Sequence, residues 1–375
     1  MNTPNAIAPP RKSIPLTSLL IQLAVLILAC ALVAWFVGNA STNLKERGLA
    51  SGFAFIHDAA DFGISEGLVS YETGDSYLRA FAVGVSNSVR AAVPAMVLAT
   101  VLGFFLGVAQ ISRHPLIRKL GKTYVDVVRN VPLLIQILLW YFLLTETLPS
   151  PQQPLQWMGL AILSKAGLAV AAPTGQAGLW WLTSAAIVVG GCLLVWPLFR
   201  WGKGRMLMLI ALACIVWLGL PLDWEVPTVG SFGVNGGATL STEWLALVAG
   251  LTLYTASYCA EIVRAGLQAV PRGQWEAAHA LGLTWRQTLV RVVLPQSLRV
   301  MVPPYTSTLM STLKNSSLAI VVGYPDIVSV ATTSLNQTGQ AIECIAIIAL
   351  VYLSLNLITS LVMAWVNARV QIKER

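Results

Sequence analysis

The apolar positions of this chain gather into long runs separated by polar segments. A helix that crosses a bilayer needs about 20 mostly apolar residues. Runs near residues 16–37, 86–111, 131–148, 179–199, 206–222, 244–263, 304–323 and 344–366 approach or exceed that length. The pattern predicts an all-α, polytopic membrane bundle of about eight transmembrane helices. Met206–Leu222 is short, and the run at 304–323 is the most polar. Met1–Lys12 places two positive charges ahead of the first run, as a signal peptide does. Leu16–Val37 is long enough to span and lacks a small-residue cleavage site, so a retained helix is expected.

Three connections are long. Asn39–Tyr77, rich in Gly, Ser and acidic residues, reads as a partly ordered loop. Pro149–Gly178 is punctuated by Pro and Gly, with a short interfacial helix expected around Trp157–Ser164. Arg264–Arg299 carries strong helix signals and is expected to be structured.

Charge supports this division. The chain is 56% hydrophobic and 11% charged, against about 25% charged residues in soluble domains. With the N-terminus in the cytoplasm, the inside segments collect 18 of the 24 Lys and Arg residues. The outside segments hold Glu46, Asp58, Asp61, Glu66, Glu72, Asp75, Asp223, Glu225 and Asp326. That alternation obeys the positive-inside rule and predicts both termini on the cytoplasmic side. The net charge of +8 forms no dense basic run, which argues against nucleic acid.

Cys30, Cys192, Cys214, Cys259 and Cys344 lie in apolar stretches without CxxC spacing, and His57, His114 and His279 are scattered. Neither disulfides nor a metal site is expected. The sequence shows no nucleophile with its base, no clustered carboxylates and no phosphate-binding GxxxxGK[ST] loop. The expectation is a protein that is not an enzyme.

The polar loop at 264–300 has the most specific local grammar. Pro271 stops the preceding helix, and Glu276 is expected in the first turn of the next, where its charge suits the dipole. Ala277, Ala278 and Ala280 favour helix and leave room for another surface. Gly282 supplies a left-handed stop, and Thr284 with Gln287 makes a capping box for a second helix. Pro295 is expected to end that second helix. A short, sharply bounded helix of this kind suits transmission of rigid-body motion.

Glu276, Ala277, Ala278, Gly282 and the run Val292, Val293, Leu294, Pro295 resemble the EAA motif of ABC-importer permeases, with Val292 in place of the usual Ile. Tyr124 to Gln136 (with Arg129, Asn130 and Pro132), Tyr258 to Gly266 followed by Val270 and Pro271, and Leu313 to Leu318 resemble segments of the polar amino-acid uptake family. The resemblance covers about residues 84–148 and 244–370 and implies the five-helix core of a type I importer. Residues 1–83 then read as an N-terminal tail, an extra helix and a periplasmic loop, and 84–375 as the permease domain with an extra helix pair at about 179–222. Extra helices look like those of the larger permeases of general L-amino-acid transport systems.

The resemblance implies a coupling helix seated on a separate ATP-binding subunit dimer. It also implies a second permease subunit, expected to be a paralogue, a periplasmic amino-acid-binding protein, surrounding membrane lipid and an inner-membrane location. ATP and Mg would belong to the ATPase, with no cofactor on this chain.

A substrate path can be nominated from polar residues in apolar surroundings. Tyr254, Ser257, Tyr258 and Glu261 form one stripe on a helix. Glu261, costly near lipid, either meets a substrate ammonium or pairs with Arg264 or a partner subunit. The stretch 306–317 carries Thr312, Lys314, Asn315, Ser316 and Ser317 among other polar residues. Such hydroxyls either line a solvated path or bond back to their own helix. Lys314 either holds a substrate carboxylate or neutralises Glu261. Asn315 sits where the family also has Asp, which implies a path not dedicated to cationic amino acids. The competing reading is an ion-coupled secondary transporter, which would bury several ionisable residues near mid-membrane.

Overall fold

The computed structural model describes residues 16–46, 52–157, 159–173, 224–230 and 233–371. The expected spans near 179–199 and 206–222 lie outside the described residues. The described helices are α1 (Leu16–Glu46), α2 (Tyr77–Gln110), α3 (Pro115–Asn130), α4 (Leu133–Thr147), α5 (Thr242–Gln268), α6 (Arg272–Ala280), α7 (Trp285–Thr288), α8 (Leu294–Asn315), α9 (Ile327–Thr338) and α10 (Ala341–Val370). Four of them, in α1, α2, α5 and α10, are individually long and apolar enough to cross a membrane, and six spans result if two bent pairs each count as one. Leu20–Val37 and one side of α10, with Ile345, Leu350, Leu353, Leu357 and Leu361, lie exposed, as a lipid-facing surface requires.

The central contact is α2 against α5. Small residues make it possible: Ala91, Ala92, Ala95 and Ala99 of α2 are fully buried, and Gly103 and Gly107 extend the same stretch. A Cβ added at Gly103 would stand 2.4 Å from Cys259 Cβ, and one at Gly107 would stand 2.6 Å from Val263 Cβ. Backbones this close gain dispersion contact in lipid, where hydrophobic burial drives nothing. Gly103→Val is therefore expected to destabilise the α2–α5 pair by about 1–3 kcal/mol, the usual cost of overpacking. Gly38→Val, where nothing lies within 4 Å, is the control. Thermal unfolding of the purified protein separates the two.

Breaks follow the prolines and glycines. Between α3 and α4 the chain turns by 102°. Val131 is extended, with φ −98° and ψ 125°, because the ring of Pro132 disfavours a helical residue before it. Pro295, by contrast, ends nothing. It follows a π-helical turn, Leu289–Val293, whose wider register accommodates a residue lacking an N–H, and α8 continues through it. Gly323, at φ 80°, ends the 3₁₀ turn Ser316–Val322, and α9 then leaves at 54°.

Two segments connect the helices at the end opposite α6. Residues 52–76 form an ordered cap, where a partly ordered loop was expected. Its Phe55, Phe62 and Tyr71 group around Tyr77 of α2, and Glu343 of α10 accepts the Gly52 N–H at 2.6 Å. The second segment departs further from expectation. Instead of an interfacial helix around Trp157–Ser164, the chain forms β1 (Leu155–Trp157), β2 (Ala161–Ser164) and β3 (Gly167–Val170). Gly159 (φ 70°) and Gly167 (φ 119°) turn the chain where a helix would have to continue. After β4 (Ala172–Pro173), β5 (Trp224–Glu225), β6 (Thr228–Gly230) and β7 (Gly233–Asn235), β8 (Ala238–Leu240) joins β3 to give the antiparallel order β1-β2-β3-β8. The helical class thus holds for the bundle, with a small sheet added between α4 and α5.

Candidate coupling loop and translocation path

The loop between α5 and α8 is built as a rigid double turn. Helix α6 begins at Arg272 after Pro271. Glu276 therefore lies in its second turn rather than the first, and the helix has no acidic residue in its first turn. The expected dipole role of Glu276 is corrected accordingly. At the other end, Gly282 N–H donates to His279 O at 2.9 Å and Leu283 N–H to Ala278 O at 3.1 Å. This is the two-bond Schellman stop, with Gly282 at φ 70°. Helix α7 follows at once: Thr284 Oγ1 accepts Gln287 N–H at 3.4 Å, and Gln287 Oε1 accepts Thr284 N–H at 2.9 Å. Both halves of the capping box are present.

Packing gives α6 an inner and an outer face. Trp275 packs against a core of Leu267, Val270, Leu289, Val293 and Met301, and Ala278 is buried. Gln296 of α8 donates to Gln274 Oε1 at 3.2 Å. Glu276, Ala277, Ala280 and Leu281 face outward. Leu281 is 80% exposed, a bare apolar side chain at the apex of the loop. Motion applied to this face would pass to α5 and α8 through Trp275 and Ala278. Pro295 lies behind the loop, in the first turn of α8.

The nominated path residues separate into two groups. On α5, Ser257 is fully buried and donates to Tyr254 O at 2.6 Å, so it belongs to helix packing. Tyr254 and Tyr258 join hydroxyls at 3.0 Å, and the guanidinium of Arg129 stands 4.9 Å from the Tyr258 ring. Glu261 is clasped by Arg264, whose Nε lies 3.0 Å and 3.1 Å from its two oxygens. Arg264 in turn donates to Gln268 at 2.7 Å. Of the two sequence readings of Glu261, the structure holds the ion pair.

On α8 and beyond, Thr312 is buried, shares a 3.0 Å hydrogen bond with Thr255 and donates to Thr308 O at 2.9 Å. Ser316 donates to Leu313 O and Ser317 to Lys314 O, each at 2.7 Å. Most hydroxyls here bond back to their own helix. Lys314 is exposed and Asn315 half-buried. Helices α5 and α8 run in opposite directions past the Thr255–Thr312 contact. Counting 1.5 Å per residue from it, Lys314 and Glu261 are offset by about 12 Å along the axes. Lys314 does not neutralise Glu261.

A charge-swap cycle tests the ion pair. Glu261→Arg or Arg264→Glu alone is expected to lower uptake, and the double variant to recover most of it. Loss in the double variant equal to that of Glu261→Arg would instead assign the carboxylate to substrate.

One constellation was absent from the sequence reading. Glu66 of the cap meets Arg90 of α2 at 3.0 Å, with side chains 13% and 6% exposed. Ser241, the N-cap of α5, donates to Glu66, and Arg90 also donates to Thr239 O at 3.0 Å. Asn87 bridges Glu66 O and Pro325 O at 2.8 Å and 2.9 Å. The cap, α2, the sheet and the segment before α9 thus meet at one buried charge pair. Burial pushes the Glu66 carboxyl above its ordinary range, against the opposing pull of Ser241 and Arg90. The signal was a lone arginine inside an apolar run.

Comparison with known proteins is consistent with this architecture. Residues 99–372 match the family model described as binding-protein-dependent transport system inner membrane component. The chain is 43% identical to the putative amino-acid ABC transporter permease protein YhdX of Escherichia coli, over 95% of this chain and 94% of that one. It is 38% identical to the general L-amino acid transport system permease protein AapQ of Rhizobium johnstonii, over 96% and 93% of the two chains. It is 33% identical to the glutamate/glutamine/aspartate/asparagine transport system permease protein BztB of Rhodobacter capsulatus, over 96% and 94%. On the span of these matches, the chain belongs to the family of binding-protein-dependent transport system inner membrane components.

Proposed function

We propose that this multi-pass inner-membrane protein is the permease subunit of an ATP-driven ABC importer of L-amino acids, driven through the loop that contains α6. The observation that carries the reading is that loop's construction: a helix stopped by a Schellman turn, recapped within two residues, anchored inward by Trp275 and Ala278, and presenting Ala277 and Leu281 outward. Glu276, Ala277, Ala278, Gly282 and Pro295 are the coupling residues. The substrate class is supported by the printed names of the relatives.

In this reading the loop and both termini face the cytoplasm, as the Lys and Arg distribution favours. A dimer of ATP-binding subunits docks on the loop, a paralogous permease completes the pathway, and a periplasmic amino-acid-binding protein delivers substrate to the opposite end. ATP and Mg are held by the ATPase, and the helices switch between inward- and outward-facing arrangements. Residues 84–375 form the permease domain, and 1–83 with about 179–222 are additions to it. Tyr258, Lys314, Asn315 and Ser317 remain the substrate-path candidates, with Thr312 and Ser316 behind them and Glu261 bound to Arg264. That pairing also weakens the ion-coupled alternative, which needs a carboxylate able to cycle its proton.

The test is co-purification of the tagged protein with the subunits bound to it, followed by ATPase assays with the binding protein and individual amino acids. Stimulation by L-amino acids supports the reading. Hydrolysis indifferent to every amino acid overturns the substrate class.

A further inference from the structure

The small sheet between α4 and α5 has one face that water should not tolerate. Residues directly opposite one another across strands share a face. The register therefore lays Leu155, Leu163, Leu168 and Leu240 in one row across all four strands, with Trp157 beside Leu155 on the same side. At the β8 end the row enters the bundle: Leu240 is buried in the core and Leu168 packs against it. At the β1 end it lies open, with Leu155 59% and Trp157 78% exposed. On the opposite face, Ile162 and Ala169 are buried. The tip of the β1–β2 hairpin is apolar as well. Leu160 is 59% exposed beside Gly159, where hairpin tips in water favour Asn, Asp and Gly.

The depth of this surface follows from how the sheet is tied. Lys165 N–H, in the β2–β3 turn, donates to Pro149 O at 2.9 Å, just past the end of α4. Thr242, the first residue of α5, donates its hydroxyl to Lys165 O at 2.7 Å. The turn is thus pinned to the ends of two helices of the membrane bundle. Leu139 and Phe142 of α4 are 62% and 58% exposed, so apolar surface is already present on the adjoining helix. Charge separates this sheet from the neighbouring cap. From 149 to 173 the only Asp, Glu, Lys or Arg is Lys165, whereas the cap bears Asp58, Asp61, Glu72 and Asp75.

We propose that the β1–β2 hairpin is an interfacial lipid anchor, with Leu155, Trp157 and Leu160 seated at the headgroup–acyl boundary of the leaflet opposite the α6 end. Trp is favoured at that boundary, where its ring is apolar and its N–H remains wet. The strip carries a single charge, Lys165, where the water-facing cap carries several. The anchor would hold the adjoining ends of α4 and α5, to which the sheet is pinned, against the bilayer surface.

Photo-crosslinking in the assembled transporter, reconstituted in nanodiscs of phosphatidylethanolamine and phosphatidylglycerol, tests the assignment. Benzoylphenylalanine is placed in turn at Trp157, at Leu139 as the lipid-facing reference and at Glu72 as the water-facing reference. All three side chains are exposed, so folding should tolerate the replacements. Mass spectrometry after irradiation is expected to find phospholipid adducts at 157 and 139, and at 72 at least tenfold fewer. The proposal is overturned if 157 yields lipid no better than 72, or if its dominant adduct is a protein subunit. It stands or falls independently of the transported substrate, because the readout does not involve transport.

Discussion

Gly282→Trp is expected to reduce ATP-driven uptake by at least about tenfold, equivalent to roughly 1.4 kcal/mol, while insertion and assembly of the helices persist. Two effects combine. Gly282 sits at φ 70°, where any L-residue is strained. Nothing lies within 4 Å of the position a Cβ would take, so an indole there is not absorbed by the fold and projects from the loop apex beside Leu281. Gly282→Ala separates the two, since it adds the strain without the bulk. It is expected to keep uptake well above that of Gly282→Trp, because its left-handed strain of roughly 1–2 kcal/mol falls on the stability of the loop and adds no bulk to its outer face. Uptake in proteoliposomes, measured with the quantity of assembled complex held equal, distinguishes the variants. Normal uptake by Gly282→Trp would sink the coupling role of the loop.

Arg90→Met should produce the largest loss of stability. It keeps the apolar stem and removes the charge that faces Glu66. Breaking a buried pair by removing one partner typically costs about 3–5 kcal/mol, because the remaining charge is stranded. The pH dependence carries the sign. Burial already raises the Glu66 carboxyl above its ordinary range, and removing Arg90 takes away an influence that lowers it. For a carboxyl raised in the folded state, folding takes up a proton. The folded variant therefore gains relative stability as pH falls through the raised value and loses it as pH rises. The difference in Tm between the original protein and Arg90→Met is expected to be smaller at pH 5 than at pH 8. An equal difference at both would show that Glu66 does not titrate there.

Much of this molecule is legible in its sequence because lipid simplifies the rules. Long apolar runs have to be helices, since no water satisfies the backbone at that depth. The cap residues of the α6–α7 loop act locally, so Gly282, Thr284 and Gln287 could be assigned from spacing alone. Where the reading departed from the structure, a neighbouring residue changed the outcome. Pro295 reads as a helix end only if the turn before it is α-helical, and the π turn at Leu289–Val293 shifts the register. Glu276 reads as a first-turn residue only if α6 starts later than Arg272. The segment at 157–164 reads as a short interfacial helix until Gly159 and Gly167 are given their positive φ angles.

The path was harder to read than the loop, for a different reason. Residue type alone does not reveal whether a membrane hydroxyl faces a channel or its own helix. Thr312, Ser316 and Ser317 turn inward to backbone carbonyls, and Glu261 turns to Arg264. The Glu66–Arg90 pair shows the complementary case. Its partners lie 24 residues apart, in a loop and a helix, and only tertiary packing brings them together.

In the proposed reading, the outward face of the loop at α6 seats an ATP-binding subunit. A photo-crosslinker in place of Leu281, in the assembled complex, tests it most directly. The expected result is a covalent adduct with the ATP-binding subunit whose yield changes when ATP is bound. Crosslinking of residue 281 to lipid, or to no other subunit while the complex remains intact and active, would contradict it.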